Sequence, residues 1–156
     1  MWTVGHGEGS PDELERRLGD AGVQMIVDVR SRPSGFRTPD FTKRALELLA
    51  AQTGVGYRWL GPALGEPSDD TLDPARVAGD HGLIATEEFT AGIDEIIELA
   101  RVTRTVVLCS EETPDLCRRG LVIAPALRDR EVRVVHILGD SSLRIHEPPL
   151  PLEDPK

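Results

Sequence analysis

The chain has 156 residues, 39% hydrophobic and 29% charged, and its 18 Lys and Arg against 27 Asp and Glu give a net charge of −9. That length fits one domain able to bury roughly two thirds of the surface of its unfolded chain. The excess of acid argues against a general attraction to nucleic acid, and the longest apolar runs, "VVLC" and "LVIAPAL", are too short to cross a bilayer.

In chain order, "MWTVGH" reads as a strand ending in glycines, followed by a helix over "SPDELERRLGDAG". There Ser10 is the N-cap, Pro11 takes the first helical position, Glu13 completes a capping box and Gly22 is the stop. "VQMIVDVR" is a second strand, apolar enough to be covered on both faces. A helix follows over "FTKRALELLAAQTG", with Phe41, Ala45, Leu48 and Leu49 on its inner face, and then a short strand, "YRWL". Residues 61–82, rich in Gly, Pro and Asp, read as a long loop or lid.

"TEEFTAGIDEIIELARVT" resumes helix, capped by Thr86, with Phe89, Ile93, Ile96, Ile97 and Ala100 facing inward. "RTVVLCS" is the fourth strand, "TPDLCRRGLVIAPALRD" a fourth helix broken or kinked at Pro125, and "VRVVHIL" the fifth strand. This alternation predicts a single α/β domain over residues 1–140, a three-layer parallel sheet of about five strands with helices on both faces. Residues 141–156 read as a Pro-rich acidic tail.

The start of the chain has no secretory leader and two cysteines make no disulfide framework, so a reducing, cytoplasmic setting is expected. Such a setting argues against a permanent Cys109–Cys117 bridge.

Ligands of such folds bind beyond the C-terminal ends of the strands. His6, Asp28, Arg30, Arg32, Cys109, Ser110, Glu111 and His136 gather there in the sequence reading. Cys109 is either an inert core thiol or a nucleophile, lowered in pKa by the next helix and by Arg118 and Arg119, with Glu111 and Glu112 acting in the opposite direction. Cys117, expected in the first turn of the fourth helix, lies near enough for a transient disulfide; two ligands do not make a structural zinc site. A metal site ranks below a redox or nucleophilic pair, and both rank below a structural Cys117. His6 is a candidate acid or base, or else a structural hydrogen-bonding group. Arg30, Arg32 and Arg37 suit a phosphate or carboxylate, and Asp28 either orients an arginine or His6 or pairs with Arg30. "GHGEG" matches neither the Walker nor the dinucleotide spacing, and no cofactor is expected.

Through "TVGH", "VDVRSRP", "TEEF", "VVLCSEETPDLCRR" and "VVHIL", in that order, residues 3–138 resemble the family called domain of unknown function 488. The double-cysteine segment carries most of the likeness. Position 118 is Arg where the family has His, and "LGPALGEPSDD" and "DHGLIATEEF" also depart from the family pattern. The resemblance implies His6, Asp28, Arg30, Cys109, Glu111, Cys117 and Arg119 as a shared set and carries a pointer to DNA repair. The expected function is a thiol-dependent enzyme on a small anionic, nucleotide-like substrate. In it Cys109 is the reactive thiol, His6, Glu111 and Asp28 manage protons, and Arg30, Arg32, Arg37, Arg119 and Cys117 hold the substrate. The alternative is a non-catalytic module binding nucleic acid or a protein.

Overall fold

A computed structural model describes residues 1–34, 38–65 and 86–147. Arg37, residues 66–82 of the expected lid and residues 148–156 of the expected tail lie outside the described residues, and the first part of the expected lid, 61–64, is a helical turn.

The sheet is built from β1 (Trp2–Gly5), β2 (Met25–Asp28), β3 (Gly56–Trp59), β4 (Thr105–Cys109), β5 (Val135–Ile137) and β6 (Leu143–Ile145), in the order β3-β2-β4-β1-β5-β6. The first five are parallel and β6 runs antiparallel to β5. The fold is therefore the α/β architecture that the alternation of elements predicts, with one more strand. That strand falls in the stretch read as tail. A turn at Gly139–Ser142 forms it, with Asp140 accepting from the Ser142 amide and hydroxyl.

Helix α1 (Pro11–Asp20) has the capping box that the sequence spells: Ser10 Oγ accepts from the Glu13 amide, and the Glu13 carboxylate accepts from the Ser10 amide. Helix α2 (Lys43–Thr53) is capped by Thr42 and stops at Gly54, whose φ of 73° suits a residue without Cβ. Its inner face is Leu46 and Ala50, with Phe41 buried just before it. Leu48, expected inside, is 53% exposed: Phe41 lies in a separate 3₁₀ turn before the helix, so a face phased on it is not the face the helix buries. Helix α3 (Gly61–Leu64) is a single turn, and α4 (Glu87–Val102) buries Phe89, Ile93 and Ile96 under its Thr86 cap.

The expected fourth helix is not one helix. A 3₁₀ turn at Pro114–Leu116 is followed by Cys117 in extended conformation (φ −131°, ψ 161°), a π-helical turn at Arg119–Ile123, and α5 (Ala124–Arg128). Pro125 sits where the π-helical turn passes into α5, so the change of helix type falls at the residue that has no N–H to donate. Cys117 is thus the residue before the helical turn rather than inside it.

Two cores pack against the sheet. Val4, Ile26, Val106, Leu108 and Ile137 meet α1 and α2; Val27, Val107 and Cys109 meet α4 and α5 together with Cys117, Ile123 and Leu127. Successive strand residues point to opposite faces, so this alternation also decides which polar groups can meet. No helix among the described residues is long and apolar enough to cross a membrane.

Candidate dithiol site and strand-end cleft

The register pairs Thr3 with Val107 and with His136, and Gly5 with Cys109. Those positions share the α4/α5 face. Asp28 follows Ile26 by two, and His6 follows Val4 by two, so both belong to the α1/α2 face. The rim residues that read as one constellation are divided by the sheet into two clusters.

The first cluster is an ion pair with an aromatic wall. Arg30 donates to both oxygens of the fully buried Asp28, from Nε to Oδ1 at 2.8 Å and from Nη2 to Oδ2 at 2.7 Å, and Tyr57 Oη donates to Oδ2 at 2.5 Å. Burial, the Asp28 charge and that hydrogen bond raise the Tyr57 phenol. His6 stacks on Phe41 with ring centroids 4.3 Å apart and donates from Nδ1 to the Gly7 carbonyl at 2.8 Å. Its Nε2 therefore carries the lone pair, which faces Arg30 Nη1 at 3.4 Å. Burial, reinforced by the Arg30 charge, pushes His6 down to about 4, against smaller upward effects of the Gly7 carbonyl and Asp28. The imidazole is neutral at ordinary pH. Asp28 and Arg30 satisfy each other, the arrangement expected of a buried pair.

The second cluster contains both thiols. Cys109 Sγ donates to Cys117 Sγ at 3.0 Å, with the cysteines 6% and 0% exposed, and they are not bonded to each other. Arg119, fully buried, donates from Nε to Cys109 Sγ at 3.1 Å and from Nη1 to Thr3 Oγ1 at 2.7 Å. Its Nη2 donates to the carbonyls of Glu111 and Glu112 at 3.1 and 2.8 Å. Among the described residues no carboxylate pairs with this guanidinium. A buried cation demands a counter-charge, and the sulfur pair is what stands beside it.

The two thiols differ. Burial raises Cys117, but the hydrogen bond from Cys109, the Arg119 charge and the amides of Gly120 and Arg119 outweigh it and hold Cys117 below the ordinary thiol value. Cys109 goes the other way: burial, its bond to Cys117 and the charge there raise it well above that value, and Arg119 only partly offsets them. The helical turn after Cys117 thus directs its amides at Cys117, and not at Cys109, where the sequence places their effect.

Beyond Arg119 a chain of hydrogen bonds runs toward solvent. Thr3 Oγ1 accepts from Arg119, which leaves its proton for His136 Nδ1 at 2.6 Å; His136 Nε2–H then donates to His146 Nδ1 at 3.0 Å. His136, expected at the rim, is a buried mid-sheet group on this face, held neutral and pushed to about 3 by burial and then by the Arg119, His146 and Arg144 charges.

Above the strand ends lies a cleft of about 540 Å³ lined by His6, Glu8, Arg32, Ser110, Glu111 and Glu112, with the hydroxyls of Ser34, Thr38 and Thr113. That volume suits a small molecule. Backbone bonds from His6 N to Cys109 O (3.1 Å) and from Gly7 N to Ser110 O (3.0 Å) tie its floor to β4. The 110–112 backbone separates the cleft from the sulfurs, close enough to Gly5 that a Cβ there would overlap the Glu111 carbonyl. Arg118 is not among the residues lining the cleft and donates from Nε to the Leu64 carbonyl in α3 at 2.5 Å. Among the described residues no group of three or more His, Cys, Asp or Glu is arranged to hold a metal.

Of the residues singled out from sequence, the structure thus joins Asp28, Arg30 and His6 on one face and Cys109, Cys117 and Arg119 on the other, and sets Arg32 and Glu111 in the cleft. Thr3 and Tyr57 were missed. Strand alternation puts Thr3 beside the cysteines' face, and a lone Tyr in a short strand gave no signal.

A mostly parallel α/β sheet with a dithiol and a buried arginine at its strand ends defines the class of the molecule. A sequence profile described as Domain of unknown function DUF488 matches residues 10–125, well over half of the chain, and the protein belongs to that family. No curated protein and no solved structure matches it.

Proposed function

We propose that the chain is a thiol-dependent enzyme whose small polar ligand enters the strand-end cleft and reaches the sulfurs when the 110–112 segment between them is displaced, with Cys117 as the nucleophilic sulfur and Cys109 as its proton-donating partner. The observation that carries this is the 3.0 Å hydrogen bond from Cys109 Sγ to Cys117 Sγ beside a buried Arg119 that has no carboxylate partner among the described residues. A thiolate at Cys117 completes that arrangement electrostatically, and a thiolate is the reactive form.

In the reaction Cys117 Sγ bonds to an electrophilic atom of the ligand while the leaving group departs with the bonding pair and takes the Cys109 proton. Water then cleaves the covalent intermediate, and its second proton returns to Cys109. Arg32 is the one guanidinium among the described cleft residues and stands against Glu8, Glu111 and Glu112. The ligand is accordingly one with a single anionic group for Arg32 and amine or hydroxyl donors for the carboxylates. The net charge of −9 weighs against a nucleic-acid polymer.

A second reading, a non-catalytic binding module, is favoured by the burial of both thiols. Mass-mapped alkylation of the reduced chain with iodoacetamide separates the two. The enzyme reading expects Cys117 to react faster than a free thiol below the ordinary cysteine pKa, and the reaction to vanish in Cys117→Ser. Slower alkylation than free cysteine at every pH supports the binding module instead.

A further inference from the structure

The geometry points to the Cys109–Cys117 pair as a site of reversible oxidation by a hydroperoxide, with Arg119 carrying the change from the sulfurs into the wall of the cleft. The inference deepens the reading above and rests on its assignment of a thiolate to Cys117, but it concerns control of the cleft and not turnover.

The sulfurs are already in contact, so a bond of about 2.05 Å needs only a small closure of the 3.0 Å separation. The Cys117 thiolate attacks the peroxide, takes one oxygen to become a sulfenic acid, and the alkoxide leaves with the bonding pair and picks up a solvent proton to form the alcohol. Cys109 then attacks the sulfenic sulfur; the disulfide forms and hydroxide leaves, taking the Cys109 proton as water. Two electrons pass from the sulfurs to the peroxide.

Arg119 feels this step directly. Before oxidation its Nε faces Cys109 Sγ within a pair that carries the compensating charge. Afterwards the sulfurs are neutral, and the guanidinium is a fully buried cation whose remaining acceptors, Thr3 Oγ1 and the Glu111 and Glu112 carbonyls, are neutral as well. An unpaired buried charge is costly. The relief available is movement toward the exposed Glu111 and Glu112 carboxylates. The two carbonyls Arg119 holds are backbone of the segment that lines the cleft, so the wall moves with it.

The experiment treats the full reduced chain with hydrogen peroxide, confirms an intramolecular disulfide by intact mass and peptide mapping, and follows hydrogen exchange at His6 and Gly7, whose amides donate to the Cys109 and Ser110 carbonyls at the root of the moving segment, before and after. The expected result is exchange faster on the order of tenfold at those two amides as the segment shifts, reversed by dithiothreitol and absent in Cys109→Ser. A disulfide that leaves exchange at His6 and Gly7 unchanged overturns the transmission through Arg119 while a rapidly alkylated Cys117 still leaves the enzyme reading standing. Peroxide that yields only sulfinic acid at Cys117 overturns the pair as a reversible site. Thiols inert to both peroxide and iodoacetamide remove both readings together.

Discussion

Replacing Arg119 by Met keeps a long apolar stem in the same buried slot and removes the charge with its four hydrogen bonds, to Cys109, Thr3, Glu111 and Glu112. Glu111 and Glu112 are exposed residues whose carbonyls water can solvate, while Thr3 keeps its bond to His136, so each lost bond is worth about 1 kcal/mol rather than the charged-group maximum. The net cost is about 4 kcal/mol, a fall in Tm of about 8–16 °C for a chain of this size. Loss of the guanidinium also removes a principal support of the low Cys117 pKa, so the thiol should titrate at or above its ordinary value. Guanidinium chloride unfolding and the ultraviolet absorbance of the thiolate read the two effects on the same samples. Arg119→Lys, which keeps the charge without the planar fork, should retain most of the titration shift and lose part of the stability. An Arg119→Met chain with wild-type midpoint and an unmoved thiol titration would refute the electrostatic account.

His6 and His136 are buried neutral with folded pKa values of about 4 and about 3. Below the unfolded value near 6.5 the unfolded chain takes up protons that the folded one refuses. Their contribution is therefore complete above pH 6.5 and falls with pH toward 4, with a slope approaching about 2.7 kcal/mol per pH unit for the two groups; denaturation midpoints flat between pH 7 and 5 would contradict this. Asp28→Asn leaves Arg30 buried without its counter-ion and should cost about 3–5 kcal/mol in the same assay, whereas a loss under about 1 kcal/mol would mean the pair is better solvated than its burial indicates. Gly5→Ala places a Cβ against the Glu111 carbonyl and 3.0 Å from Arg119 Nη2. It should cost about 1–3 kcal/mol and speed alkylation of the pair by displacing the segment above it; slower alkylation would place the access route elsewhere.

Local signals in the sequence carried the helix ends well. Ser10 with Glu13, Thr86, and Gly54 each act through bonds within one turn, and each appears where its chemistry requires. The site was legible as a list of residues but not as a geometry. Reading off the residues after each strand ignores the side on which they emerge, and alternation sends His6 and Asp28 to one face and Cys109 to the other. The same rule, applied to "WTVG" against "TVVLC", would have found Thr3 once the register of β1 and β4 was known. Cys117 was misplaced because "TPDLCRRG" has the composition of a helix start, yet Pro114 closes a 3₁₀ turn and Gly120 packs against its carbonyl, leaving Cys117 extended between two turns. Strand β6 escaped notice because its three residues are exposed and carry no buried alternation, so pairing with β5 is what defines it.

Titration of the thiolate absorbance of the reduced chain, beside Cys117→Ser and Cys109→Ser, tests the central claim most directly. The account predicts one thiolate per chain appearing below the usual thiol pKa of about 8.5, lost in Cys117→Ser and displaced upward in Cys109→Ser as its hydrogen-bond donor changes. Two thiols that ionise together above that value, in the wild-type chain and unchanged by either substitution, would contradict it.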